Sequence, residues 1–213
     1  MAFFRTVSFS EPLPTIEGEA VYLRAPQMSD FSEWATLREA SRAFLTPWEP
    51  TWPSDDLSRS AFRRRLRRYS EDLRTDQSYA FFLFRKSDHA LTGGLTLANI
   101  RRGVAQAGSL GYWIGEPFAR RGMMTGAVHA LVPFAFGSLR LHRLEAACIP
   151  SNAASVRLKK RRGSSARAMR ANTSASTACG RIICCLRAWP AIESAQTMSA
   201  PWHGLGQARI ALL

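Results

Sequence analysis

The stretch GYWIGEPFARRGMMTGAVHALVPFAF, from Gly111 to Phe136, constrains the fold more than any other part of the chain. An apolar strand-like run feeds a short basic loop, and a glycine in that loop opens an apolar helix. The first N–H groups of a helix have no intrahelical partner and sit at the positive end of its dipole, so such a junction suits a phosphate or pyrophosphate. Arg120 and Arg121 add positive charge at the same turn. The loop has neither GxxxxGK[ST] nor GxGxxG, so the nucleoside triphosphate and dinucleotide readings have no motif to stand on. An ordinary turn between strand and helix is the alternative without function.

Strands and helices alternate around this junction, which predicts a mixed α/β domain. Val21-Tyr22-Leu23-Arg24 reads as a short strand, and Asp30 stands as an N-cap before an amphipathic helix to about Ser41. The run FLTPWEPTWP, Phe44 to Pro53, holds three prolines and two tryptophans, which predicts a packed loop. Phe62, Leu66, Tyr69 and Leu73 then recur at steps of four, three and four, the spacing of one helix face between Asp56 and Leu73. Arg63, Arg64, Arg65, Arg67 and Arg68 cover the rest of that helix, as a solvated face or as a contact for RNA or an acidic partner. YAFFLFRK (Tyr79–Lys86), HALTGGLTLANI with a break at Gly93-Gly94, and AGSLGYWIG (Ala107–Gly115) predict a three-strand meander. A helix from Gly122 to about Phe136 and a strand from His142 to Ile149 complete the pattern.

The net charge of +13 points toward nucleic acid or another anionic partner, but the charge is unevenly spread. Residues 1–158 hold 20 Lys/Arg and 15 Asp/Glu, whereas residues 159–213 hold 9 and 1. Most of the excess is therefore in the tail. Cys179, Cys184 and Cys185 match neither paired metal ligands nor a disulfide framework, and His89, His129, His142 and His203 form no metal or triad pattern, so no metal is expected. The first residues contain no long apolar run and include Glu11, Glu17 and Glu19, so neither a leader nor a membrane span is expected, and the expected location is cytoplasmic.

The order strand, Ala119-Arg120-Arg121-Gly122-Met123-Met124, helix, strand and then Asn152-Ala153-Ala154-Ser155 resembles the GNAT N-acetyltransferases, specifically the RimJ/RimL branch that acetylates ribosomal-protein N-termini. VYLRAPQMSDFSEW and Gly115-Glu116-Pro117 also fit, and the likeness covers about Glu17 to Leu158. The resemblance implies an α/β (α+β) GNAT fold: a mixed, mostly antiparallel central sheet flanked by helices. It divides the chain into an N-terminal extension (1–16), the acetyltransferase domain (17–160) and an aberrant basic, disordered tail (161–213). It also implies acetyl-CoA as cosubstrate, its pyrophosphate held by main-chain amides at Ala119, Arg120, Arg121, Gly122, Met123, Met124 and Thr125. Two departures stand out: Ala119 replaces a usual polar residue, and Gly126 sits where such helices commonly carry glutamate.

Implied with the family is direct attack of a neutral amine on the thioester. An α-amino group titrates near 8, so deprotonating it at pH 7 costs only about 1–1.5 kcal/mol, and one carboxylate acting directly or through water suffices. Glu145 matches the position of a base in some relatives; a surface ion pair with Arg143 is its alternative. Splaying around Gly111, Tyr112, Trp113 and Ile114 is expected to leave a main-chain N–H for the thioester carbonyl. Asn152 would orient the coenzyme arm or serve as an N-cap, and Ser155 would protonate the leaving thiolate. The acceptor is expected to be a protein N-terminus, with a small amine such as a polyamine or antibiotic as the alternative and ribosome association as a further expectation. A basic RNA- or ribosome-binding module without catalysis is the reading outside enzymology, and no membrane partner is expected.

At Lys160 the pattern stops. Residues 159–213 contain only Trp189 and Trp202 as aromatic residues and carry no apolar periodicity, although a GNAT domain needs two more strands there. Back-translated with free synonymous choice and reread two bases into each codon, the tail yields GFLREGYARQYLCINGVWQDHLLF, which resembles the family's C-terminal end. The single codons of Met169 and Trp189 limit that freedom. The hypothesis is a one-base slip near Lys160 to Arg162, leaving the native C-terminal strands missing or replaced. It predicts an unpaired edge on the Leu144–Ile149 strand and an unstable or inactive chain. The gene's codons decide it: if they cannot encode the shifted string, there was no slip.

Overall fold

The computed structural model describes residues 13–148, 152, 182–187 and 211–212. Their strands form one sheet in sequential order. The first five are β1 (Ile16–Glu17), β2 (Val21–Arg24), β3 (Tyr79–Arg85), β4 (Leu91–Arg101) and β5 (Ala107–Ile114); β6 (Arg143–Cys148), β7 (Ile182–Arg187) and β8 (Ala211–Leu212) follow. Neighbours pair antiparallel throughout except β5 and β6, which run parallel. A parallel pair needs a crossover, and the helix α4 (Met123–Pro133) provides it.

Helices cover both faces of the sheet, which explains why β3, YAFFLFR, is apolar at nearly every position rather than alternating. Tyr79, Phe81 and Leu83 join Val21, Leu23, Leu95, Leu97, Leu110 and Leu144 under α4, through Met124, Ala127, Val128 and Leu131. Phe82 and Phe84 face the other way, toward Trp34 and Leu37 of α1 (Phe31–Ala40) and Phe62 of α3 (Arg59–Arg74). The helix period read from Phe62 and Leu66 holds. Ser58 starts α3 by accepting the Ala61 N–H at 3.1 Å, a cap worth about 1 kcal/mol.

Several local expectations change. Asp30 occupies the N-cap position of α1, as expected, but its side chain makes no capping bond to the helix. Its carboxylate turns back to accept the Gln27 N–H at 2.7 Å and to pair with both terminal nitrogens of Arg24 at 2.6 and 2.9 Å, because a nearby guanidinium offers stronger, charge-assisted donors. Gly93-Gly94 does not break the strand: β4 runs straight through it. The glycines are needed there because β5 crosses too closely for a side chain. The proline-rich stretch folds into a short α2 (Arg42–Leu45) and a 3-10 turn at Thr46–Trp48 before becoming irregular. α4 ends at Pro133 and passes into a π-turn, Phe134–Ser138, at the point where the proline interrupts the backbone ladder.

The tail also departs from expectation. Ile182–Arg187 lies antiparallel along β6, from Arg143 opposite Arg187 to Cys148 opposite Ile182, so that edge is paired. The physical reason is local: IICCLR is a short apolar, partly β-branched run, enough to complete a ladder whatever frame encoded it. Ile16, placed within the N-terminal extension, belongs to β1.

Candidate active site

β5 and β6 form a fork. Their parallel register runs from Ala107 opposite Arg143 to Leu110 opposite Ala146 and stops there. β5 continues to Ile114, held on its other edge by β4 through Gly93 opposite Ile114. Tyr112 and Ile114 pack toward the core beneath α4, and Trp113 packs toward α1 and α3. The splay expected around Gly111 to Ile114 is thus present in the strand register.

Beyond Ile114 the chain is pinned before it reaches the basic turn. The Gly115 N–H donates to the Thr92 carbonyl at 2.8 Å, and the Glu116 N–H donates to Ser41 Oγ at 3.0 Å. Gly115 sits against Leu37. Neither Ser41 nor Leu37 carried a sequence signal for this role, since a buried serine and a core leucine look like packing until the loop is seen against them.

The turn then reverses through two left-handed residues, Arg120 at φ 62° and Gly122 at φ 78°, with Arg121 between them outside that region. Alternation of this kind turns successive N–H groups toward one side, the arrangement of an anion-binding nest. A non-glycine residue in the left-handed region is uncommon and costs free energy that the surroundings must offset. Gly122 is the N-cap of α4, and no side chain caps the helix. The first intrahelical bond runs from Gly126 N–H to the Gly122 carbonyl at 2.9 Å. Arg120, Arg121 and Gly122 are exposed, Met123 and Thr125 half-buried, and Met124 packs into the core, leaving only its amide for a ligand. Open space surrounds Gly122 where a β-carbon would stand. A diphosphate fits this turn: donors without side-chain competitors, a helix dipole and two exposed guanidinium groups.

Glu145 lies one residue before the fork opens, opposite Ser109. Leu144 beside it is in the α4 core, so strand alternation puts Glu145 on the opposite face. Its Oε1 pairs with Arg143 at 2.6 Å and its Oε2 with Arg101 at 2.9 Å. The ion pair with Arg143 therefore exists, and Arg101 joins it. Asn152 is half-buried, and Ser155 lies outside the described residues. Among the described residues, no group of three or more His, Cys, Asp or Glu is arranged to hold a metal, and no helix is long and apolar enough to cross a membrane.

Residues 20–165 match the acetyltransferase (GNAT) domain family. The chain is 32% identical over 148 residues to the probable N-acetyltransferase YjcK of Bacillus subtilis, covering 70% of this chain and 82% of that protein. It is 30% identical over 123 residues to the ribosomal protein uS5-alanine N-acetyltransferase of Escherichia coli, covering 58% of this chain and 63% of that one. In fold it resembles the crystal structure of the ribosomal-protein-S5-alanine acetyltransferase of Vibrio fischeri, with TM-score 0.71 and 24% identity over 82% of this chain and 96% of that chain. It also resembles Mycobacterium smegmatis RimJ in complex with CoA-disulfide, with TM-score 0.69 and 23% identity over 83% and 86%. Taken with the forked β5–β6 pair and the uncapped start of α4, these matches mean that the chain belongs to the GNAT acetyltransferase family and is an acyltransferase.

Proposed function

We propose that the chain is an acetyl-CoA-dependent N-acetyltransferase whose acceptor is the α-amino group of a protein N-terminus, a ribosomal protein in the first instance. The observation that carries the reading is the turn from Arg120 to Gly122, two left-handed residues leading into an uncapped helix beside a strand that outruns its parallel partner. The family's cosubstrate supplies an acetyl thioester to the acceptor amine. The Ala119 N–H, expected among the diphosphate donors, is already given to the Glu116 carbonyl at 3.1 Å, so the amides from Arg120 to Thr125 hold the diphosphate, and Arg120 and Arg121 neutralise it from the exposed side. The main chain of β5 from Gly111 to Ile114 offers N–H to the thioester carbonyl and, at Tyr112, Trp113 and Ile114, runs along the coenzyme arm, while the Trp113 ring turns to the other face.

Glu145 is fixed in direction by two guanidinium groups and receives the amine proton directly or through water. Asn152 orients the arm, and Ser155 returns a proton to the thiolate. The acceptor class rests on the ribosomal-protein-alanine acetyltransferase of Escherichia coli. An acceptor panel tests it: peptides with free N-terminal alanine or serine, the same peptides N-terminally blocked, and polyamines. Acetylation at the peptide α-amine, located by mass spectrometry, supports the reading; transfer only to polyamines replaces it with the small-amine reading.

Ribosome association has one observation of its own. Arg63 and Arg67, one turn apart on α3, are exposed and have no ion-pair or hydrogen-bond partner among the described residues, whereas Arg64 and Arg65 pair with Asp55 and Asp56. Salt-dependent RNA binding that weakens in the Arg63→Glu, Arg67→Glu double variant supports this surface, and binding that survives it excludes the surface.

A further inference from the structure

Arg38 is 6% exposed, an unusual place for an arginine. Its two terminal nitrogens donate to the two carboxylate oxygens of Glu49 at 2.8 and 2.7 Å. Its guanidinium carbon stands 4.1 Å from the ring centre of Trp52 and 5.0 Å from that of Trp113. Glu49 Oε2 also accepts the Trp52 indole N–H at 2.8 Å. Arg38 Nε is buried and has no partner. One side chain on α1 thus ties the segment after α2 to the strand that opens the fork, since Trp113 lies beyond Leu110, where pairing with β6 ends.

A buried ion pair is a poor means of stabilising a fold, and leaving a donor unmet makes it poorer. What such a pair supplies is geometry. The bidentate fork fixes the plane of the guanidinium, and the two indoles fix its position between them. Without Arg38, the segment from Thr46 to Trp52 has an exposed aromatic, Trp48 at 39%, and two prolines, Pro47 and Pro50, to keep it from joining a helix or strand. With Arg38, that segment stands as a wall beside the open end of β5.

We infer that Arg38 is a positioning residue for the acceptor: it clamps Glu49 and Trp52 against Trp113, so that the Thr46–Trp52 strap and its exposed Trp48 ring form the wall against which the acceptor's first residues rest. This rests on the acetyl-transfer reading of the β5–β6 fork. It assigns to the strap an apolar, flat contact for the acceptor chain, while the coenzyme is held on the far side by α4. The clamp and the coenzyme turn are therefore separable by mutation.

The test uses the full chain with Arg38→Met, Arg38→Lys and Trp48→Ala, an alanine peptide as acceptor, and coenzyme A binding by calorimetry. Arg38→Met raises the acceptor KM at least tenfold, changes coenzyme A affinity less than twofold, and is not rescued by Arg38→Lys, which cannot form the bidentate pair. Trp48→Ala, at a site 39% exposed, raises the acceptor KM while coenzyme A affinity changes less than twofold. Hydrogen exchange over residues 46–52 reads the clamp without catalysis: it accelerates at least tenfold in Arg38→Met while α4 is unchanged. Unchanged exchange there overturns the clamp. Faster exchange with an unchanged acceptor KM, or with acceptor and coenzyme affinity falling together, overturns its acceptor role. If the unmutated chain binds coenzyme A but acetylates no peptide, the acetyl-transfer reading fails instead, and the exchange result still decides the clamp.

Discussion

Gly93 lies opposite Ile114 in the β4–β5 pair, so close to the neighbouring strand that a β-carbon on Gly93 would stand 2.4 Å from the Trp113 carbonyl oxygen. That oxygen is backbone and cannot swing away. Gly93→Ala must therefore push β5 off β4, and we expect a loss of about 2–4 kcal/mol, the range of strained and overpacked substitutions. Urea unfolding checks it. Because the displaced strand carries the fork, coenzyme A affinity falls in the same variant.

Gly126 presents the opposite case. It lies inside α4 at ordinary helical φ, and a β-carbon there would meet Val21 Cγ2 at 3.6 Å, a normal contact. Gly126→Ala removes an entropic cost and should stabilise the chain by about 0.5–1 kcal/mol. The residue is not part of the turn, so coenzyme A affinity stays within a factor of two. Destabilisation would show that the family's glutamate position matters here for a reason other than helix propensity.

Tyr79 sets an alkaline limit. Burial, and then the hydrogen bond that its hydroxyl donates to Asp76, hold the phenol above its ordinary range. Asp76 is held in turn by Arg102, whose other donor reaches the Leu139 carbonyl at 2.6 Å. The folded state keeps a proton that the unfolded chain releases above about pH 10, so stability falls as pH rises past that point. Tyr79→Phe flattens this alkaline slope while lowering stability near neutral pH. Denaturant midpoints at pH 8 and 10.5 for both proteins measure the difference; parallel slopes would remove the assignment.

A tail read in a shifted frame predicts that the gene's codons after Lys160 yield GFLREGYARQYLCINGVWQDHLLF in the alternative frame. It further predicts that a protein restored to that frame melts higher than this chain by at least about 5 °C. Ile182–Arg187 already pairs with β6, so the chain as written keeps a closed sheet edge and the difference measures side-chain fit rather than loss of the strand. Equal melting temperatures, or codons that cannot give the string, would end the frameshift account.

Sequence alone revealed the meander, the helix period of Phe62 and Leu66 and the strand–turn–helix junction, because each is a local pattern with its own period or breaker. The fork was legible only as an expectation, since the point where β5 and β6 part depends on register between strands far apart in sequence. Gly93-Gly94 looks like a break in the sequence although β4 runs through it, because a glycine pair that breaks a strand and one that lets a neighbouring strand approach look alike in one dimension. Asp30 takes the N-cap position that the sequence indicates but not the capping bond, because Arg24 competes for its carboxylate. The Arg38 cluster left no trace in the sequence, as nothing in the spacing of Arg38, Glu49, Trp52 and Trp113 indicates that they meet.

The most direct measurement is calorimetry of coenzyme A and of pantetheine, which lacks the diphosphate, against the full chain and its Gly122→Val variant. Gly122 at φ 78° holds a conformation that valine resists by about 1–2 kcal/mol, and its amide belongs to the anion-binding turn. The account predicts one-to-one binding of coenzyme A, binding of pantetheine at least a hundredfold weaker, and a tenfold or greater loss of coenzyme A affinity in the variant. Pantetheine binding as tightly as coenzyme A, or coenzyme A indifferent to Gly122→Val, would contradict it.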